Sequence, residues 1–154
     1  IGARLAKRLQ VPFFDADDFH SPANVAKMAS GVPLTDADRS GWLDDLAGLV
    51  KCEHGGLVLA CSALKRAYRD RLRAGNPSLQ FVYLKGDMET IWSRHSSRED
   101  HYFNGRSMLE SLFRTLEKPE PGEGVIVVDV REPPDRIVER CLAVLSTPDR
   151  RQKS

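Results

Sequence analysis

Apolar positions along the chain follow two periods, one typical of helices and one typical of buried strands. Ile1, Leu5 and Leu9 recur every four residues among polar ones, which predicts an amphipathic helix at 1–10. Short continuous apolar runs stand between such segments and indicate strands buried on both faces. Further helices are predicted at 22–30, from a cap at Thr35 to a stop at Gly55, from a cap at Ser62 to Gly75, and at 88–97, 107–116 and 134–145. Strands are predicted at 12–15, 57–61, 79–84 and 125–130.

The order of these elements predicts the fold class. Strands alternate with helices throughout, which is typical of an α/β fold with a parallel sheet. No internal repeat is visible, and a chain of 154 residues is about one domain long. We therefore expect a single domain at 1–145, followed by a polar C-terminal tail at 146–154.

The amino-acid composition indicates which classes of molecule the protein is expected to bind. Hydrophobic residues make up 41% and charged residues 29% of the chain, and the formal net charge is +1, so nothing indicates nucleic acid binding. The three cysteines are scattered without a CxxC pair, which predicts neither a disulfide framework nor a zinc site. No apolar run reaches the roughly 20 residues of a membrane helix. We expect a cytoplasmic protein with small-molecule partners and no membrane contact.

An acidic loop follows the first predicted strand. The apolar run at 11–14 leads into Asp15, Asp17 and Asp18, with His20 just beyond. Ligands of open parallel sheets bind beyond the carboxyl ends of the strands, so carboxylates there are placed to meet divalent cations and polyhydroxy substrates. The alternative is an ordinary acidic loop.

A second cluster of charges begins the third predicted helix. Thr35 and Asp38 have the spacing of a capping box, while Asp36 and Arg39 share one face of the helix start. An arginine offers a planar fork of donors that suits a carboxylate. The cluster is therefore either a plain helix cap or one side of a binding site.

Several blocks of sequence together resemble one enzyme family. They are DADDFH at 15–20, KMASGVPLTDADRSGWL at 27–43, ACSALKRAYRDRLR at 60–73, SRHSSREDHYF at 93–103 and LFRTLEKP at 112–119. In this order they resemble the gluconate kinase family of small P-loop kinases, over about residues 1–145. The sequence departs from the family pattern at Asp100, where the family has Gly, and at Leu112, where it has Gln.

The resemblance implies a fold and an activity. It implies a three-layer P-loop kinase fold, with a five-stranded parallel sheet, helices on both faces and a mobile lid at about 94–107. It also implies transfer of the γ-phosphoryl group of ATP, with Mg2+, to the 6-hydroxyl of D-gluconate, and a homodimer. The alternatives are a kinase for another small hydroxy acid such as shikimate, or a non-catalytic subunit that binds sugar acids.

The family's phosphate loop, GxxxxGK[ST], has no counterpart in this sequence. By the resemblance, that loop and the central strand before it would lie upstream of Ile1. Because positioning and charge stabilisation supply most of phosphoryl-transfer catalysis, we expect the chain without this loop to be inactive. We also expect the given sequence to be a shortened record of a longer protein.

Roles for individual residues follow from their chemistry beside the resemblance. Asp15 is expected to hold Mg2+ and to act as catalytic base, and Asp17 to bind substrate hydroxyls, although these two roles could be exchanged. Arg39 is expected to bind the substrate carboxylate. The remaining expected substrate-binding residues are His20, Lys65, Tyr68 and Arg69; for Lys65 and Arg69 the alternative is a solvated basic face.

The nucleotide side of the site is expected to use two arginines and an acid. Arg94 and Arg98 lie one helical turn apart before a polar stretch, as catalytic lid arginines that contact phosphates would. The alternative is an ordinary exposed pair. Asp129, at the end of the last strand, is expected to mark the start of the adenine site.

Overall fold

A computed structural model describes residues 1–74, 76–95 and 105–145 of the chain. Its helices are α1 (Gly2–Leu9), α2 (Pro22–Ala29), α3 (Asp36–Cys52), α4 (Arg66–Arg73), α5 (Met88–His95), α6 (Gly105–Thr115) and α7 (Pro134–Leu145). Its strands are β1 (Phe13–Asp15), β2 (Val58–Ala60), β3 (Val82–Lys85) and β4 (Ile126–Asp129), and short 3-10 turns span Ala16–Phe19 and Pro121–Glu123. The predicted order of strands and helices is confirmed.

The described strands form two parallel pairs. β1 pairs with β2, with Phe13 opposite Val58, and β3 pairs with β4, with Val82 opposite Ile126. No ladder joins β2 to β3 among the described residues. The five-stranded sheet implied by the resemblance is thus represented by four strands, and the break lies between two pairs of parallel neighbours.

Helices cover both faces of the strands. Val58 packs into an apolar cluster with Leu5 of α1 and Ile137 of α7, whereas Leu59 packs into a second cluster with Leu43 of α3. Successive strand residues point to opposite faces, so this division means that α1 and α7 lie on one face and α3 on the other. The three-layer α/β architecture is confirmed.

Two details of the prediction need correction. Ser62 does not cap α4, whose N-cap is Lys65 without a side-chain hydrogen bond. The Arg66 amide instead donates to Glu117 Oε1 at 2.9 Å, so a distant carboxylate caps the helix. β4 is not buried on both faces, because Val127 is 54% exposed.

Gly86 lies where the chain leaves β3. A Cβ atom built on it would overlap Cγ2 of Val130 and come within 3.2 Å of Ile91. Only glycine allows the backbone to pass so close to these two side chains. The position of α5 relative to the β3–β4 pair therefore depends on this residue.

Candidate active site

The acidic loop folds into a single 3-10 turn at the carboxyl end of β1. Asp15 is the last residue of β1 and caps the turn, since its Oδ1 accepts from the Asp17 amide at 3.0 Å. Ala16, between the two carboxylates, is fully buried and anchors the turn in the core. The backbone thus fixes Asp15 and Asp17 at the edge of the β1–β2 pair.

Asp17 has an unusual environment for a carboxylate. Its side chain is 14% exposed and lies 3.9 Å from the His20 Nε2. Burial, followed by repulsion from Asp15 and Asp18, raises the pKa of Asp17 to about 6. A carboxylate whose pKa is tuned toward neutrality can accept a proton from a substrate hydroxyl more effectively than an ordinary aspartate.

His20 forms part of a rigid aromatic wall. Its ring stacks on Trp42 at a centroid distance of 4.4 Å, and its Nδ1 lies 3.4 Å from the Asn24 amide nitrogen. Trp42 is itself fixed, because its indole N–H donates to the Ala16 carbonyl at 2.7 Å. Burial and the nearby Arg39 lower the pKa of His20, so the imidazole is neutral at pH 7.

Arg39 is a buried cation. The residue is 8% exposed, and its Nη1 donates to the Tyr68 hydroxyl oxygen at 3.1 Å. Among the described residues, no carboxylate lies within salt-bridge distance of its guanidinium. A buried charge normally has a charged partner, whereas the described residues give the Arg39 guanidinium only the hydroxyl oxygen of Tyr68.

A polar network continues from Arg39 to the surface. Tyr68 donates its hydroxyl hydrogen to Asp36 Oδ1, and Lys65 Nζ donates to both Asp36 oxygens at 3.0 and 3.1 Å. Arg39 and Lys65 also lie 5.6 and 5.8 Å from the centre of the Tyr68 ring. The predicted substrate residues Arg39, Lys65 and Tyr68 are thus in one connected group.

One pocket is lined by three of the predicted site residues, whereas Lys65, Tyr68 and Arg69 do not line it. Asp17, His20 and Arg39 line it together with Ser62, so the structure brings together side chains from the acidic loop, α3 and the segment after β2. The walls are apolar and are formed by Met28, Pro33, Leu34, Trp42, Leu64 and Leu112. Polar groups on an apolar frame are typical of a small-molecule site.

Several of these lining residues were missed from the sequence. The sequence predicts a helix cap at Ser62, and it assigns no site role to Leu34 or Trp42. Leu112 was noted only as a departure from the family pattern. Apolar side chains of a core and of a pocket wall carry the same periodicity, so only the fold distinguishes them.

The guanidinium of Arg69 is fully engaged by partners within the chain. Its guanidinium forms a bidentate pair with Glu123 at 2.7 and 2.9 Å and donates to the carbonyls of Ala63 and Leu64. Arg73 adds a third bond to Glu123, whose side chain is 1% exposed and whose pKa falls to about 2 because Arg69 and Arg73 donate to it. The geometry favours a role in fixing α4, and substrate binding by Arg69 stays a prediction.

The predicted nucleotide residues lie apart from this pocket. Asp129 ends β4 and pairs with Arg131 at 2.7 Å, which lowers the pKa of Asp129 to about 2. Arg94 donates from Nη2 to the Glu132 carbonyl at 3.1 Å, beside the turn that follows β4. Arg98, most of the lid predicted at 94–107, and the tail at 146–154 lie outside the described residues.

Parallel strands, helices on both faces and a pocket beyond a strand end are together typical of small α/β enzymes that bind their ligands at the carboxyl ends of the strands. The chain matches no protein-family model. It is 41% identical over 149 residues to the thermoresistant gluconokinase of Escherichia coli K12, covering 94% of this chain and 85% of that protein. The chain belongs to the gluconokinase family.

Solved structures agree with this assignment. A sugar kinase from Janibacter sp. HTCC2649, in its unliganded state, has a TM-score of 0.86 and 44% identity, over 94% of this chain and 84% of that one. A gluconokinase from Sinorhizobium meliloti 1021 has a TM-score of 0.85 and 38% identity, over 94% and 82%. None of the helices in the described part of the chain has the length and apolar character to cross a membrane.

Proposed function

We propose that the protein transfers the γ-phosphoryl group of ATP to the 6-hydroxyl of D-gluconate. The observation that carries this proposal is Arg39, a buried guanidinium that has no carboxylate partner among the described residues and lines a pocket with apolar walls. Gluconate is a monocarboxylate with a row of hydroxyls. Its carboxylate would give the Arg39 charge the partner that the chain does not supply.

A second lining residue, Asp17, suits the reacting hydroxyl. Asp17 lines the pocket, whereas Asp15 is half-buried at the strand end and does not line it. The pKa of Asp17, raised to about 6, also suits a group that accepts a proton near neutral pH. Of the two assignments left open by the sequence, we therefore propose Asp17 as the base and Asp15 as the magnesium residue.

The donor set of the chain fits Mg2+ in the way kinases bind it. No group of three or more metal-binding side chains is found among the described residues. Kinase sites hold Mg2+ through one or two carboxylates together with substrate phosphates and water. Asp15 uses Oδ1 for the Asp17 amide, and its Oδ2 has no hydrogen bond within the described chain. The ion would neutralise charge on the transferring phosphoryl group.

The chain's own residues would then perform three tasks. Arg39 would hold the carboxylate end, the His20–Trp42 wall would restrict the carbon chain, and Asp17 would accept the proton of the attacking hydroxyl. Arg94 and Arg98 would contact the ATP phosphates when the lid closes, and Asp129 would border the adenine site. A homodimer and a cytoplasmic location accompany this proposal as predictions.

A coupled assay of ADP formation tests the activity. Full-length protein is mixed with ATP and Mg2+ and then with D-gluconate, shikimate or D-glucose, the last of which has the hydroxyls without a carboxylate. We expect turnover with gluconate, which stops when Mg2+ is chelated. Equal turnover with shikimate would overturn the substrate assignment, and binding of gluconate without ADP formation would indicate the non-catalytic alternative.

A further inference from the structure

Asp36 is an acidic residue that the proposed reaction does not use. It is the first residue of α3, its side chain is 65% exposed, and it does not line the pocket. It nevertheless accepts hydrogen bonds from Lys65 and from the hydroxyl of Tyr68. It therefore contacts two residues of the predicted substrate group from the outside.

The hydroxyl of Tyr68 connects Asp36 to Arg39. Its oxygen accepts from Arg39 Nη1 at 3.1 Å, and its single hydrogen is donated to Asp36. A hydroxyl can serve both neighbours only in this sense, because an arginine has no acceptor. The electrostatics agree: the Tyr68 hydrogen bond lowers the pKa of Asp36, while burial and then Asp36 raise the pKa of Tyr68. The proton thus stays on Tyr68.

The Arg39 guanidinium is buried, and its side-chain hydrogen bonding within the described residues depends on Tyr68. Tyr68 is its hydrogen-bond partner within the described residues, and the ring of the same tyrosine lies 5.6 Å from its Cζ atom. Tyr68 therefore supplies the directional contact of this guanidinium, while packing supplies the rest. We propose that Asp36 is a positioning residue, which fixes the Tyr68 hydroxyl and thereby keeps the free edge of Arg39 turned into the pocket for the substrate carboxylate.

The competing explanation is a surface ion pair between α3 and α4. The chain provides a matched control for it, because Asp44 on α3 pairs with Arg71 on α4 away from the pocket. Both acids are exposed, and both pairs connect α3 to α4 or to its N-cap residue, Lys65. A contribution limited to helix docking would make Asp36→Ala and Asp44→Ala equivalent.

The kinetic test rests on the proposed function. In full-length protein, we expect Asp36→Ala to raise KM for gluconate about tenfold, as for loss of one charge-assisted hydrogen bond, with KM for ATP unchanged. Asp36→Asn should largely restore KM, because its amide oxygen can still accept from Tyr68. Tyr68→Phe should resemble Asp36→Ala, and the double variant should be no worse than either single one. Additive effects, or an equal effect of Asp44→Ala, would overturn the proposal.

A second readout does not depend on the substrate. The Arg39 Nε–Hε signal in 15N NMR, assigned with Arg39→Lys, reports how rigidly the guanidinium is held. We expect it to be rigid in the wild type and in Asp44→Ala, and mobile in Asp36→Ala and Tyr68→Phe. If this pattern is seen but gluconate is not a substrate, the positioning role stands and the substrate assignment fails. An equally rigid signal in Asp36→Ala would refute the positioning role.

Discussion

We expect the ionised Asp17 carboxylate to lower the stability of the folded protein while it supports catalysis, and the Asp17→Asn variant tests this directly. The pKa of Asp17 lies at about 6 in the folded protein, against 3.8 for an unperturbed aspartate, mainly because the carboxyl group is buried. The folded state thus binds this proton more tightly than the unfolded chain does. The stability that the proton contributes is complete below pH 3.8 and is lost as the pH rises through about 6.

The magnitude follows from the two pKa values. At about 1.4 kcal/mol for each pH unit, the raised pKa of Asp17 lowers the free energy of unfolding by about 1 kcal/mol at pH 4.5, where the unfolded chain is ionised but the folded carboxyl keeps its proton. At pH 8, where both states are ionised, the reduction is about 3 kcal/mol. Asn has nearly the same shape and carries no charge. Asp17→Asn should therefore raise the free energy of unfolding by up to these amounts, or by roughly 2–4 °C in melting temperature for each kcal/mol.

Thermal unfolding followed by circular dichroism at pH 4.5 and pH 8 measures the difference in stability between Asp17→Asn and the wild type. Asp45→Asn on α3 is the control, since this exposed carboxylate does not line the pocket and its substitution should change stability by less than about 0.5 kcal/mol at either pH. The same Asp17→Asn protein should lose turnover and the acid limb of its kcat/KM profile near pH 6. A variant less stable than the wild type at pH 8, or one that keeps full turnover, would refute the reasoning.

Three further substitutions test other parts of the structure. Arg39→Lys keeps the charge but loses the fork of donors, so KM for gluconate should rise with little change in KM for ATP, and equal changes would indicate a structural role. Glu123→Gln removes the charge between two arginines and should cost about 3–5 kcal/mol in urea unfolding; a change below 1 kcal/mol would contradict a buried ion pair. Gly86→Ala should cost about 1–3 kcal/mol by overlap with Val130, and an unchanged melting temperature would show that the backbone can move there.

The sequence predicted the order of the elements well, because periodicity reports burial locally. Thr35 and Asp38 form the predicted capping box, with Asp38 Oδ2 accepting from the Thr35 amide at 2.9 Å and Thr35 Oγ1 from the Asp38 amide at 3.1 Å. Strand lengths were overestimated, because an apolar run continues beyond the residues that form ladder hydrogen bonds. The run at 79–84, for example, contributes only its second half to β3.

Interactions between distant segments were beyond the reach of the sequence. Glu123 lies in a loop without apolar periodicity. Nothing local indicates that it contacts Arg69 and Arg73, which lie 54 and 50 positions earlier in the chain. The same holds for Glu117, which caps α4. Ion pairs of this kind depend on how loops return to the fold, which no periodic pattern encodes.

The amino-acid sequence by itself determined which chemical groups the site contains: acids after β1, an arginine at the start of α3, and a lysine and a tyrosine around α4. Only the tertiary structure decided the burial and the partners of each group. It buries Asp17 and so changes its pKa, it leaves Arg39 without a carboxylate among the described residues, and it occupies Arg69 with Glu123. Side-chain identity is local, whereas burial and partnership arise when segments far apart in the chain pack together.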